Sequence, residues 1–236
     1  MRWERFWKSV IDLFFPRRCI ICGRQLLLCE RHLCIDCFAE LPLTYFWSYR
    51  ENPAELRLTG RARVERVCSL FYYGGEYREI LYSLKYRSNI RLARFMGELL
   101  GRKMRECSLS FDYIIPVPLH FLKRWKRGYN QAYIISCGLR TGLECGTVVT
   151  NILKRRRFTG TQTKREKIER WLNVREAFAL SRSSGRRAAM IKRLLHGKRV
   201  LLVDDVLTTG ATLDACCQLL IPLGAEITIA TLAYVE

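Results

Sequence analysis

Acidic residues are scarce in this chain relative to basic ones, and long hydrophobic runs, repeats and low-complexity tracts are lacking. Its 236 residues include 41 Lys and Arg against 22 Asp and Glu, a formal net charge of +19. This excess indicates a polyanionic partner, which could be nucleic acid, a phosphate-rich ligand or an anionic surface. The absence of repeats and biased tracts excludes a solenoid or a disordered chain, and the length suits one α/β domain with a small appendage.

The N-terminal segment is apolar only in short stretches. Apolar residues recur with helical spacing over residues 2–15, but Glu4, Lys8 and Asp12 interrupt them. The segment therefore cannot serve as a transmembrane span or an export signal. We expect an amphipathic helix over residues 1–16 that packs on the body of the protein. The alternative is a surface helix that makes peripheral contact with a membrane or a partner.

Cysteine is abundant, with eleven residues. In a chain of this size that has no signal peptide, they indicate a reducing cytoplasmic location and not a disulfide scaffold.

Four cysteines form two Cys-x-x-Cys pairs separated by eleven residues. They are Cys19, Cys22, Cys34 and Cys37. The spacing predicts a closed, structural zinc site, because four thiolates complete a tetrahedral shell. We place it in a small zinc ribbon over residues 17–48. Cys29 and His32 lie between the pairs, and either could replace one of the four ligands.

The most informative stretch begins with an apolar run over residues 200–203, which is typical of a buried parallel strand. Asp204 and Asp205 follow where this strand should end. The loop after them contains Thr208, Thr209, Gly210, Ala211 and Thr212. Small residues at a helix start leave backbone N–H groups that can bind phosphate, and the carboxylates can accept hydrogen bonds from vicinal hydroxyls. The pattern predicts a sugar-phosphate site; the alternative, a turn with an N-cap, uses only one acid and one Thr.

Strands and helices alternate over the last two-thirds of the chain, which predicts an α/β fold with a parallel sheet. We expect strands at 67–73, 111–118, 147–153, 200–203 and 226–232. We expect helices at 76–86, 91–105, 128–139 and 211–220. The polar segment 49–66 is typical of a linker. Ligands of such sheets bind at the carboxyl ends of strands, where the two acids lie.

A second candidate segment follows the strand that ends in Pro116, Val117 and Pro118. Two prolines at a strand end force a rigid turn. Four cations come next, among them Lys123 and Arg127. Arginine can chelate pairs of phosphate oxygens, so this loop suits a polyphosphate. A solvated basic turn before a helix is the alternative.

The third candidate segment is a basic stretch at about 154–176. From residue 154 to 199 there are sixteen Lys or Arg against three Glu, a net of +13. Few apolar residues anchor this stretch, which indicates a mobile loop. Three interpretations stay open: a lid over a bound ligand, a solvated loop, or a nucleic-acid groove in which interleaved aromatics stack on bases.

Together these segments resemble the ComF family (ComFC or GntX-like) of the type I phosphoribosyltransferase superfamily, from about Phe15 to the C-terminus. The resemblance rests on the four-cysteine ribbon, the Pro-Val-Pro turn and the two acids with their loop. It also rests on Arg127-Gly128-Tyr129-Asn130-Gln131-Ala132, on Gln162, Arg170, Asn173 and Ala177-Phe178, and on Tyr73-Gly74 with Leu84-Lys85-Tyr86. Arg165 departs from the Leu that many members carry.

The resemblance implies a phosphoribosyltransferase-like domain over residues 67–236, with its core at 107–236. Asp204 and Asp205 would hold the ribose hydroxyls of phosphoribosyl pyrophosphate, the following loop its 5-phosphate, and Mg²⁺ its pyrophosphate. Lys123, Arg127 and the basic loop with Gln162 would neutralise the leaving group, and Lys85 is a further candidate site residue.

The relatives implied by this resemblance support DNA uptake in transformable bacteria, and they bind single-stranded DNA or partner with a helicase. Two functions therefore compete: a phosphoribosyltransferase with an unassigned acceptor, and a non-catalytic DNA-binding adaptor. A transcriptional regulator ranks last because we find no helix-turn-helix candidate.

Overall fold

The fold is that of a computed structural model, which describes residues 16–58, 63–156, 177–181 and 186–236. The N-terminal helix expected at 1–16 lies almost wholly outside these residues. Most of the basic loop expected at 154–176 lies outside them as well.

A central parallel sheet organises the described residues. Its strands are Arg66–Tyr72 (β1), Tyr113–Pro116 (β2), Thr147–Val148 (β3), Arg199–Leu207 (β6) and Glu226–Tyr234 (β7). They are arranged in the order β1-β7-β6-β2-β3, and every pairing is parallel. Leu153–Arg155 (β4) and Phe178–Leu180 (β5) form a separate antiparallel pair. The predicted α/β parallel-sheet fold is confirmed, but the single strand expected at 147–153 is wrong because the chain breaks it into β3 and β4.

Eight α-helices accompany these strands in the described part of the chain. They are Ile35–Ala39 (α1), Pro53–Leu56 (α2), Arg78–Tyr86 (α3), Ile90–Glu106 (α4), Phe121–Arg127 (α5), Gln131–Leu143 (α6), Arg186–Leu195 (α7) and Ala211–Leu220 (α8). Helix α5 replaces the loop expected to carry the cations after the prolines. The helix expected from residue 128 begins later, because Asn130 caps it by accepting the N–H of Ala132 at 3.1 Å. Among these helices, none is long and apolar enough to cross a bilayer.

Strand β6 is buried on both of its faces. Val200 and Leu202 pack in the layer that contains α7 and α8, whereas Leu201 and Val203 pack in the layer of α3, α4 and α6. This alternation follows from the two-residue period of a strand. Each fully buried side chain of this kind contributes about 1.5–3 kcal/mol, so the register of β6 is strongly fixed.

The segment expected to be a polar linker is instead part of the core. Leu58 and Ala54 have no solvent exposure, and Asn52 is buried beside them. The Asn52 amide donates to the Val67 carbonyl at 3.0 Å, and its oxygen accepts the N–H groups of Ala54 and Glu55, both at 3.1 Å. The linker interpretation of 49–66 is therefore wrong for residues 52–58.

Helices α4 and α6 approach each other closely through glycine. Gly97 and Gly101 of α4 face α6, and a Cβ added at either would lie within 2.5 Å of a carbonyl oxygen of α6. A Cβ at Gly138 of α6 would lie 2.1 Å from the carbonyl oxygen of Arg94. Backbone meets backbone here, so no side-chain rotation can make room.

Replacing Gly138 with alanine should therefore lower the free energy of unfolding by about 3 kcal/mol, the upper range for overpacking. Urea denaturation of the Gly138→Ala variant measures this loss. Gly74→Ala is the matched control, since no heavy atom lies within 4 Å of its added Cβ and its φ is extended. Equal losses in the two variants would contradict the close packing of α4 on α6.

Candidate functional site

The two acids lie inside β6, so the strand end expected at residue 203 is wrong. In β6, Asp204 is in register with Thr231 of β7. The pairing of β6 with β2 ends earlier, at Val203 opposite Pro116. The carboxylates thus occupy the stretch of β6 that extends past the carboxyl end of β2, where ligands of parallel sheets bind.

Asp205 points into the layer that contains α3, and there it meets Lys85. The Lys85 Nζ lies 3.2 Å from the Asp205 Oδ2, and the two side chains are only 23% and 14% exposed. Shielding from water makes this ion pair stronger than a surface pair. The structure therefore brings Lys85, which the resemblance suggested, into direct contact with the acid pair.

Asp204 points to the opposite layer, and it is the more perturbed acid. Burial raises the pKa of its carboxyl from 3.8 to about 7, and the neighbouring charge of Asp205 adds to the rise. The Asp205 N–H, which donates to the Asp204 Oδ1 at 2.9 Å, opposes it, as do Lys85 and Arg155. Asp204 is therefore a carboxylate that would gain from a nearby cation or hydrogen-bond donor.

Arg155 is the cation on the Asp204 side of the strand. It belongs to β4, and its guanidinium lies 5.1 Å from the centre of the Phe178 ring on β5. Burial lowers the pKa of Arg155, and the charge of Asp204 opposes that change. In the sequence, Arg155 is one member of a basic run and was not singled out. The only local feature that indicates a strand here is the apolar residue immediately before the run.

The loop after the acids turns sharply into α8. Gly210 adopts a left-handed φ of +76°, and a Cβ there would lie 2.6 Å from the Leu58 Cδ2. Gly210 is also the N-cap of α8, which consequently has no side-chain cap. The Thr209 hydroxyl accepts the Ala211 N–H at 3.5 Å, so part of the alternative, a Thr that caps the turn, does form. Backbone N–H groups from Thr209 to Thr212 start the helix, where the helix dipole favours an anion.

The turn at Pro116, Val117 and Pro118 is tied to the loop before α6. The Asn130 amide donates to the Val117 carbonyl at 3.0 Å. The Pro-Val-Pro turn is therefore fixed beside the acids of β6, since Val117 itself donates to the Val203 carbonyl at 2.8 Å.

The same loop clamps the end of α3 that carries Lys85. The Tyr129 hydroxyl donates to the Leu84 carbonyl at 2.6 Å, and the Gln131 amide reaches the same oxygen at 3.4 Å. Burial raises the pKa of Tyr129 to about 12, so its hydroxyl remains a donor. Arg127 joins this network, because its Nη1 donates to the Gln131 Oε1 at 3.3 Å.

Two predicted site residues cannot be placed. The side chain of Lys123 lies outside what the structure describes, and so does Gln162, together with Arg170 and Asn173 of the same basic loop.

The four predicted cysteine ligands do come together. The Sγ atoms of Cys19, Cys22, Cys34 and Cys37 all lie within 4.8 Å of one another, so the cluster could bind a metal ion. Burial disfavours ionisation of Cys19, but N–H groups led by that of Cys34, 3.4 Å from its Sγ, lower the pKa to about 7. Cys29 and His32 are not members of the cluster; the His32 ring packs 5.6 Å from that of Phe95.

The raised pKa of Asp204 predicts a pH-dependent stability. The native carboxyl binds its proton more tightly than the unfolded one, so wild-type stability should fall as pH rises from about 4 to about 7. Asp204→Asn should remove this dependence. The variant should gain about 2 kcal/mol on wild type between pH 5 and pH 8, less than the whole pKa change implies because the carboxyl is partly exposed. Urea denaturation at both pH values measures it.

Asp112→Asn provides a control, because the pKa of Asp112 is shifted in the opposite direction to that of Asp204. The Arg199 N–H, which donates to the Asp112 carboxylate at 2.9 Å, lowers the pKa of Asp112, and Lys198 adds to the effect. Wild type should gain stability on this account only as pH rises through the acid range below about 4, so the difference in stability between Asp112→Asn and wild type should be the same at pH 5 and pH 8. A loss by Asp204→Asn between pH 5 and pH 8 would contradict the assignment.

Comparison with known proteins identifies a matching domain family and similar proteins. The family model for the Phosphoribosyl transferase domain matches residues 126–236, which include the acids and their loop. Competence protein F of Haemophilus influenzae is 29% identical over 229 residues, covering 90% of this chain and 94% of that protein. The DNA utilization protein YhgH of Escherichia coli K12 is 27% identical over 213 residues, covering 88% and 85%. An adenine phosphoribosyltransferase of Anaeromyxobacter dehalogenans is 42% identical over 57 residues, covering 24% and 33%.

Proposed function

The chain belongs to the ComF family of phosphoribosyltransferase-fold proteins, and we propose that it binds phosphoribosyl pyrophosphate with Mg²⁺ at Asp204 and Asp205. One observation carries the proposal: two half-buried carboxylates near the carboxyl end of β6 shortly precede a glycine loop that starts a helix. The carboxylates suit the vicinal ribose hydroxyls, and the loop suits the 5-phosphate.

The same residues would support transfer of the 5-phosphoribosyl group. In that step the bond from the anomeric carbon to the pyrophosphate oxygen breaks, a bond to an acceptor nucleophile forms, and pyrophosphate leaves. Positive charge develops on the ribose ring, and the carboxylates of Asp204 and Asp205 would stabilise it. Lys85 and Arg155 limit the repulsion between the acids, and the ribose hydroxyls, as hydrogen-bond donors, would further favour the ionised form of Asp204.

The acid pair also fits Mg²⁺. This ion prefers oxygen ligands and is commonly held by one or two carboxylates together with substrate phosphates. The raised pKa of Asp204 is the relevant observation, because it marks a carboxylate whose negative charge is incompletely compensated. When bound, the ion would neutralise charge on the pyrophosphate.

Residues around the loop before α6 would hold the pyrophosphate leaving group. Arg127 ends α5 directly before the loop that is hydrogen-bonded to Leu84 and Val117, and we assign it to the pyrophosphate. Lys123 and Gln162 remain proposed contacts to the same group.

The cysteine cluster has a separate, structural role in this proposal. Four soft thiolates within reach of one another suit Zn²⁺, which would complete its tetrahedral shell there without an open position for catalysis. Cysteines that are not paired in disulfides suit the reducing cytoplasm.

Titration calorimetry with phosphoribosyl pyrophosphate and Mg²⁺ tests the proposal. Wild type should bind, and the double variant Asp204→Asn, Asp205→Asn should bind at least 100-fold more weakly, because two charged hydrogen-bond acceptors are lost. Asp112→Asn is the control, since Asp112 lies at the amino end of the same sheet next to Arg199 and should leave affinity unchanged. Absence of binding by wild type would refute the proposed function.

A second candidate function is nucleic-acid binding in DNA uptake, which the names of the competence and DNA utilization relatives suggest. The specific observation is an exposed aromatic strip on α3. The rings of Tyr82 and Tyr86 lie 4.8 Å apart, both side chains are exposed, and the Arg87 guanidinium lies 5.5 Å from the Tyr82 ring. Exposed aromatics with cations can stack on single-stranded bases, and the net charge of +19 favours a polyanion.

Replacing Tyr82 and Tyr86 with alanine should weaken binding of a single-stranded oligonucleotide about tenfold or more, because each stacked base contributes about 1–3 kcal/mol. Fluorescence anisotropy at several salt concentrations measures the loss; an unchanged salt slope would show that stacking and not charge was removed. Tyr45→Ala, an exposed tyrosine of the N-terminal part, is the control. If both variants bind like wild type, the strip is not a nucleic-acid contact.

A further inference from the structure

Arg57 joins three separate parts of the chain next to the loop that follows the acids. It directly follows α2, and its Nη1 donates to the Thr208 carbonyl at 2.7 Å and also to the Val235 carbonyl. Its guanidinium lies 4.7 Å from the centre of the Tyr234 ring. One side chain thus connects the N-terminal segment, the loop after the acids and the end of the last strand.

The segment that carries Arg57 is itself firmly held. Leu58 is fully buried, and it fills the space that a side chain at Gly210 would need. Upstream, the Phe46 ring packs edge-on at 5.3 Å from that of Tyr234. Arg57 therefore contacts the loop from a fixed position.

Peptide geometry gives this contact a consequence for the ligand. The Thr208 carbonyl and the Thr209 N–H belong to one planar trans peptide, so they point in opposite directions. Holding the oxygen toward Arg57 directs the Thr209 N–H to the far side of the loop. A hydrogen bond accepted by the carbonyl also polarises the peptide, which makes that N–H a better donor to an anion.

We propose that Arg57 is a positioning residue for the 5-phosphate, acting through the Thr208–Thr209 peptide. This inference rests on the proposed function and adds a residue to it. It assigns a role in ligand binding to a segment that lies outside the phosphoribosyltransferase match at residues 126–236.

Calorimetry with three ligands tests the inference: phosphoribosyl pyrophosphate, ribose 5-phosphate, and inorganic pyrophosphate, each with Mg²⁺. Arg57→Gln should weaken the two 5-phosphate ligands about tenfold, the loss expected for one charged hydrogen bond, and leave pyrophosphate unchanged. Arg57→Lys should recover most of the loss, because it keeps a charged donor. Arg50→Gln is the matched control; Arg50 lies in the same segment and is exposed, with its nitrogen 4.0 Å from Glu65.

Hydrogen exchange of the ligand-free protein provides the second measurement. Amides of residues 209–211 should exchange faster in Arg57→Gln than in wild type, with Arg50→Gln unchanged. If wild type binds all three ligands and Arg57→Gln matches it, the inference is overturned while the proposed function stands. Equal weakening of all three ligands would also overturn it, because a general structural loss does not select the 5-phosphate. Wild type that binds no ligand overturns both.

Discussion

The site depends on one constraint, the two-residue alternation of side chains along β6. Adjacent residues of a strand point to opposite faces, so Asp204 and Asp205 cannot share a single environment. Each carboxylate enters a different layer of the fold: Asp205 pairs with Lys85 in one layer, and Asp204 feels the charge of Arg155 in the other. Both layers therefore contribute to the environment of the two adjacent acids in β6.

The loop before α6 keeps Lys85 in place. Tyr129 and Gln131 hold the last turn of α3 through the Leu84 carbonyl, which fixes the adjacent Lys85. Motifs far apart in the sequence thus form one hydrogen-bonded unit around the acid pair. Side chains held by such second contacts are preorganised, so ligand binding spends little energy on ordering them.

Local patterns revealed the features that depend on local chemistry. The parallel sheet, the acids and the four cysteines could all be predicted, because apolar runs, adjacent carboxylates and Cys-x-x-Cys spacing are written in short stretches. The true length of β6 could not, since charged residues inside a strand look like its end. Arg57 and Arg155 were missed for another reason: each is one of 41 basic residues, and only tertiary packing distinguishes it.

The placement of the acids argues for a ligand and against a purely structural ion-pair cluster. In a structural cluster, cations compensate the carboxylates and hold their pKa values below the usual range. Burial and mutual repulsion instead raise the pKa of Asp204, despite Lys85 and Arg155. The fold thus retains an unfavourable interaction that a bound cation or a pair of ribose hydroxyls would relieve. Unfavourable interactions of this kind are typical of functional sites, where the surrounding structure maintains them and ligand binding relieves them.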